Sequence, residues 1–89
     1  MRKRRAKKIK VRFRKLGRER AMGQAWADGV VEIDPRQGQK AILNTLIHEL
    51  LHICEPEWTE SHVNRVANTL ASYVWLARFR RIETGFKRK

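Results

Sequence analysis

The chain has 89 residues, a net charge of +12 and 42% hydrophobic residues, which indicates one globular domain with a modest core and excludes a disordered chain. No apolar run approaches the roughly 20 residues that cross a bilayer, and no apolar segment follows the basic start, so we expect neither a membrane span nor a secretion signal. The one cysteine, Cys54, lies in an apolar run. We therefore expect a buried thiol in a reducing compartment, the cytoplasm.

Positive charge is concentrated at the two ends of the chain. Residues 1–20 hold twelve of the 21 Lys and Arg residues and residues 78–89 hold six, whereas residues 21–77 have three basic and seven acidic residues. Such basic ends attract polyanions through the release of counterions. They predict salt-sensitive, unselective contact with nucleic acid, and solubility or an acidic protein partner is the alternative explanation.

The same patterns divide the chain into three parts. Residues 1–8 are almost all charged and are expected to form a flexible basic tail. Residues 9–84 carry the periodic apolar patterns of a folded domain. Residues 85–89 are expected to form a short basic C-terminal tail.

The first half of the domain has strand patterns. "IKVRFRKL", residues 9–16, alternates apolar and basic side chains, which predicts a half-buried strand with a basic outer face. Asp28-Gly29 is a hairpin signal between "AWA" and "VVEI", and Pro35 closes the second of these strands. We expect a small antiparallel sheet of two or three strands.

The second half changes to a helical period. From about residue 38 to 54 the apolar residues cover half of a helical wheel, and Pro56 ends this helix. A second helix is predicted to start after the N-cap Thr59 and to run to Arg81 or Ile82. A connection this short makes the helices pack as an antiparallel hairpin against the sheet, which gives an α+β architecture.

The first helix carries a metal-binding pattern. His48 and His52 are four residues apart in "HELLH", so their imidazoles lie one turn apart and can reach one ion. Paired imidazoles with a carboxylate suit zinc. Glu49 points away from the two rings and is placed to act as a general base on water, as the glutamate of H-E-x-x-H peptidases does. A solvated helix that happens to carry two histidines is the alternative.

A third ligand is expected from the segment that follows. The acids and the histidine of "EPEWTESH" offer four candidates: Glu55, Glu57, Glu60 and His62. Glu60 lies closer than His62 to the stripe of the second helix that faces the first, so Glu60 is preferred and His62 is the alternative third ligand. An acid that only stabilises the helix N-terminus would also fit this position.

"IDPRQGQKAILNTLIHELLHI" followed by "WTESHVNRVANTLA" resembles a group of small zinc metallopeptidases encoded by phages and prophages, similar in style to SprT-like and repressor-cleaving zincins. The resemblance covers residues 9–82. It implies a minimal zincin fold, Zn²⁺ bound by His48, His52 and Glu60, and Glu49 as the catalytic base. It also departs from better-known zincins, whose third ligand usually lies farther along the chain.

These patterns predict a zinc peptidase that acts on a protein or peptide, with the extended segment "GVVEID", residues 29–34, as an edge strand for the substrate. Its basic ends could tether it to nucleic acid. The main alternative is a non-enzymatic nucleic-acid-binding protein with a structural zinc site, which would need a fourth protein ligand. A phage assembly or virion component that neutralises packaged genome is a third reading.

Overall fold

The computed structural model describes residues 8–17 and 22–82, so most of the predicted N-terminal tail and all of residues 85–89 lie outside the described part. The predicted α+β architecture is confirmed, because three short strands precede two helices. The elements are β1 (Lys10–Phe13), β2 (Gly23–Ala25), β3 (Val30–Ile33), α1 (Gln39–Cys54) and α2 (Glu60–Leu76). No described helix is long and apolar enough to cross a membrane.

The sheet has the strand order β1-β3-β2. β2 and β3 form an antiparallel pair, whereas β1 runs parallel to β3, with Phe13 opposite Ile33. The sheet is therefore mixed, and it differs in this pair from the antiparallel sheet that the sequence predicts. Gly23 also lies opposite Ile33, so β1 ends and β2 begins at the same end of β3, on opposite edges of the sheet.

Asp34, directly after β3, contacts the described residues that follow β1 and precede β2. It is 2% exposed, and its Oδ2 accepts a hydrogen bond of 2.9 Å from the backbone N–H of the buried Leu16. Its own N–H donates to the carbonyl of Met22 at 2.8 Å. The Arg36 side chain, followed by the backbone N–H groups of Leu16 and Arg36, keeps the pKa of the Asp34 carboxyl well below its usual range. No local period in the sequence reports this long-range contact, which is why alternation alone does not predict the parallel pair.

The predicted hairpin between β2 and β3 is confirmed. The carbonyl of Trp26 accepts from Gly29 N–H at 2.9 Å, and Trp26 N–H donates to Val30 at 2.8 Å. Gly29 has φ 96°, a conformation that a residue without Cβ adopts at little cost. The Asp28-Gly29 signal therefore marks the turn correctly.

Glu32 occupies the outer face of the central strand. It is 5% exposed, and its carboxylate accepts hydrogen bonds from Arg14 at 3.0 and 3.1 Å and from Gln24 at 3.0 Å. The hydrogen bonds from Arg14 and then from Gln24 lower the pKa of Glu32 to about 2. Arg12 lies on the same face, 3.9 Å from Glu32, so the predicted basic outer face of β1 is present. The inner residues of β1 are less buried than the alternation predicts, with Val11 40% and Phe13 36% exposed.

α1 lies between the sheet and α2. Val31 and Ile33 from β3 pack with Ile42 to form the core beneath α1. On the other side of α1, α2 buries residues at positions 63, 67 and 71. Asn44 in the first half of α1 donates to Asn68 in the middle of α2 at 2.7 Å, and His52 near the end of α1 meets Glu60 at the start of α2, which confirms the antiparallel hairpin. Within the described chain, α1 is the helix that contacts the strands.

Two sequence expectations at helix ends need correction. Cys54 is exposed, because it is the last residue of α1 and lies past the area that the sheet covers. α2 ends at Leu76 rather than at Arg81 or Ile82. Arg78 has φ 73°, its N–H donates to Trp75, and Phe79 N–H donates to Val74, which is the Schellman ending of a helix. This ending usually carries glycine, so an arginine there gives no stop signal.

Arg78→Gly is expected to raise the free energy of unfolding by about 0.5–1 kcal/mol. In the left-handed conformation glycine avoids the clash between Cβ and the following carbonyl oxygen, and this gain exceeds the larger entropy that glycine loses on folding. Arg78→Ala keeps the Cβ and removes the same charge, so it should stay within about 0.5 kcal/mol of the wild type. Urea denaturation of the three proteins measures the difference. Equal stabilities of the glycine and alanine variants would contradict the left-handed conformation at this position.

Candidate metal centre

Two imidazoles of α1 meet on its polar side. The Nε2 atoms of His48 and His52 lie 3.1 Å apart, and their rings meet edge to face with centroids separated by 4.8 Å. Their spacing of four residues places them one turn apart on the same face. The predicted pair is therefore oriented toward a common point, and not splayed into solvent.

The first turn of α2 brings a carboxylate to the same point. Glu60 Oε2 lies 3.1 Å from His48 Nε2, and Oε1 lies 2.9 Å from His52 Nε2. Thr59 fixes this start of the helix, because its side chain accepts the N–H of His62 at 3.1 Å. The short connection after α1 and this cap together determine where Glu60 lies.

The donors lie close enough to share a single ion. Zinc bound to nitrogen and oxygen at about 2.0–2.1 Å places neighbouring ligand atoms about 3.3 Å apart. The three donors of His48, His52 and Glu60 all lie within 4.8 Å of one another. The His48 side chain is 17% exposed, that of His52 31% and that of Glu60 63%, so the cluster is open to solvent on the Glu60 side. The donor set and its geometry fit zinc.

The alternative third ligand lies elsewhere. His62 Nδ1 is 2.8 Å from a guanidinium nitrogen of Arg65, and its ring packs edge to face against Trp58 at 4.2 Å. Among the described residues, the cluster of possible metal ligands contains Glu60 and does not contain His62, Glu55 or Glu57. The geometry therefore favours Glu60 over His62 as the third ligand.

Glu49 lies beside the cluster on the side of the sheet. Burial raises the pKa of its carboxyl, and the charge of Glu60 raises it further, whereas His48 and His52 act in the opposite direction. A Cβ added at Gly23 would lie 3.3 Å from Glu49 Cγ and 2.4 Å from Thr45 Cγ2. α1 thus approaches the backbone of β2 as closely as a glycine allows, and Glu49 lies in the narrow space between them.

The strand next to this space is not the one that the sequence suggests. β3, which contains most of "GVVEID", is the central strand and is paired on both sides, so the prediction that it offers an edge to a peptide was wrong. The outer strand beside α1 is β2. A pocket of about 290 Å³ lies at the end of β2, between Ala25, Trp26, His52 and Pro56.

Sequence reasoning missed Gly23 as part of this site. A glycine inside a strand often marks a close approach of two backbones or of a helix, and "MGQAW" carries that signal. Two polar residues of α1 that could contact a substrate have partners within the protein instead. Asn44 bonds to Asn68, and Thr45 donates to the side-chain carbonyl of Gln37 at 3.0 Å.

Comparisons of the chain with protein-family models, with curated proteins and with solved structures found no match. The geometry of the cluster is therefore the basis for assigning a function.

Proposed function

We propose that this protein is a zinc-dependent metallopeptidase with His48, His52 and Glu60 as the metal ligands and Glu49 as the general base. The observation that carries the proposal is the convergence of two imidazole nitrogens and a carboxylate within 3.1 Å, beside a half-buried glutamate. The likeness to zincins of phages and prophages is part of the same proposal, and it rests on the H-E-x-x-H helix and the "TES" start of α2.

The charge balance of the cluster supports a bound cation. Lone pairs of His48, His52 and Glu60 that point at one another repel unless something positive lies between them. Protons can supply that charge through hydrogen bonds to Glu60, and a metal ion can supply it by coordination. Zinc is preferred because imidazole and carboxylate are its usual ligands and the three donors lie close enough to share one ion.

The number of ligands supports a catalytic site over a structural one. A structural zinc site is usually closed by four protein ligands, whereas a catalytic site has three and keeps one position open. The described cluster has three members, and the residue that could have closed it, His62, contacts Arg65. The exposed position of Glu60 leaves a route for solvent and substrate.

The chain's own residues would perform the proton transfers. Zinc, when bound, supplies a Lewis acid that lowers the pKa of water and polarises a carbonyl oxygen. Glu49 takes the proton of the attacking water and then gives it to the leaving amine. A raised pKa suits this role, because the group must both accept and release a proton. β2 is the strand on which an extended substrate can lie beside Glu49.

Metal binding is tested with matched pairs of variants. Wild-type protein reconstituted with zinc should hold one ion per chain, and His52→Ala or Glu60→Gln should weaken binding by at least about a hundredfold. His62→Ala and Glu57→Gln are the controls and should bind as the wild type does. Elemental analysis and competition with a chromophoric chelator measure stoichiometry and affinity. A wild-type protein that takes up no zinc would overturn the proposal.

Catalysis is tested separately with Glu49→Gln. This variant should keep its zinc but hydrolyse a broad peptide library about 10²–10⁴-fold more slowly, because it cannot accept the proton. Glu55→Gln, an exposed neighbour at the end of α1, should keep full activity. Zinc-loaded wild type that cleaves nothing in the library would favour the structural role instead.

We also propose unselective nucleic-acid contact through residues 1–20 and 78–89. The described part of these ends supports it, because Arg12 and Arg14 lie on the outer face of β1 with 56% and 44% of their side chains exposed. Trp26 lies on the same face and is 48% exposed. Guanidinium groups next to an exposed aromatic ring suit phosphate contact and base stacking.

The affinity for a random-sequence duplex should therefore fall linearly with salt on a double-logarithmic plot. Arg12→Gln should lower the slope by about one and weaken binding equally for unrelated sequences. Arg65→Gln removes one charge from α2 and should leave the slope unchanged. Equal effects of the two variants would show that net charge matters and the β1 face does not.

A further inference from the structure

A second groove lies at the edge of the sheet opposite the candidate metal centre. It has a volume of about 440 Å³, within the usual size of a ligand pocket. β1 and α1 form its walls, and the chain around the end of α2 forms its rim. Its apolar lining includes Val11, Phe13, Ile42, Leu46, Trp75 and Phe79. Because Val11 and Phe13 line this open groove, the inner face of β1 is less buried than its alternating pattern predicts.

β1 presents unused backbone groups along this groove. Lys10 N–H donates to Gly29 and Arg14 N–H donates to Ile33, so residues 10, 12 and 14 direct their N–H groups toward β3. Because successive residues of a strand alternate, Val11 and Phe13 direct theirs to the opposite side. Among the described strands, none pairs with that side of β1. An extended chain could add to the sheet there.

The charge around the groove is positive. The Arg80 guanidinium lies 3.4 Å from the ring centre of Trp75 and is held by hydrogen bonds to two carbonyls, those of Trp75 and Phe79. The Arg81 guanidinium lies 4.0 Å from the ring centre of Phe13. No described acidic residue lines the groove. The described acids lie instead in the β2–β3 hairpin, at the end of β3, in the second half of α1 and in the chain leading into α2.

We propose that this groove binds an extended peptide segment in which apolar and acidic residues alternate. The segment pairs with the outward N–H and C=O groups of Val11 and Phe13, and its apolar side chains enter the groove. Because successive side chains of a strand face opposite sides of the sheet, its carboxylates lie on the outer face beside Lys10 and Arg12, which are both exposed. The apolar lining favours a peptide over nucleic acid. β1 and β2 are at opposite edges of the sheet, so this site is separate from the candidate metal centre and does not depend on the proposed peptidase activity.

The probe is a fluorescein-labelled peptide, acetyl-Val-Glu-Ile-Asp-Val-Glu-amide, titrated with the full chain at about 0.3 M salt to screen long-range attraction. Lys10→Gln/Arg12→Gln should weaken binding about tenfold or more. Lys15→Gln/Arg65→Gln removes the same charge from exposed sites outside the groove and should change affinity less than twofold. Equal losses in both double variants would overturn the proposal in favour of net charge alone.

A second pair of variants tests the backbone contact. Val11→Ala and Val11→Pro both shorten the side chain, but only proline removes the outward N–H, and its ring is tolerated on an edge strand. Peptide affinity should fall a few-fold in the alanine variant and at least about tenfold further in the proline variant. Urea denaturation confirms that both remain folded. Equal affinity of two folded variants would rule out strand addition.

Two further arms decide between classes of ligand. The same peptide with lysine in place of each acid should not bind. An oligothymidylate should compete poorly with the acidic peptide. The Phe79→Ala variant should bind the oligothymidylate as tightly as the wild type does. If the oligothymidylate binds more tightly than the peptide and loses affinity with Phe79→Ala, the groove is a nucleic-acid site and the peptide proposal is wrong.

Discussion

The structure depends on the position of α1 between two layers. One side of this helix packs on β2 and β3, and another side packs on α2, so the described sheet and α2 are connected through it. Its apolar arc covers half of the wheel and is used on both sides. The polar residues that remain are confined to a strip along the helix, and His48, Glu49 and His52 occupy that strip.

This confinement explains how two adjacent turns of α1 and the first turn of α2 produce a site. His48 and His52 face the first turn of α2, where the Thr59 cap and a short connection hold Glu60. Glu49 is rotated away from them and faces β2. The two histidines thus face α2 and the proposed base faces β2, because Glu49 lies about 100° from His48 and about 60° from His52 around the helix.

The features that the sequence predicts well are local ones. The Asp28-Gly29 hairpin, the span of α1, the Thr59 cap and the meeting of His48, His52 and Glu60 each follow from spacing within a few residues or across one short connection. A metal ion and an activity remain proposals. The comparisons add no family to them, so the chemistry of the donor set is the argument.

The features that the sequence does not predict involve distant residues or unusual backbone. The parallel position of β1 depends on the contact between Leu16 and Asp34, 18 residues apart. The end of α2 depends on an arginine in the left-handed conformation. The burial of Glu32 beneath Arg14 and Gln24 requires three strands to be in register first. Apolar periodicity contains no information on any of these.

Gly23 has a consequence for the evolution of the cleft. Its missing side chain permits van der Waals contact between an outer strand and the helix that carries Glu49, because even a methyl group would collide with Thr45. A larger residue here would push β2 away from α1 and widen the gap beside the proposed base. A residue with a Cβ at position 23 therefore requires either a wider separation of β2 from α1 or a smaller side chain at position 45.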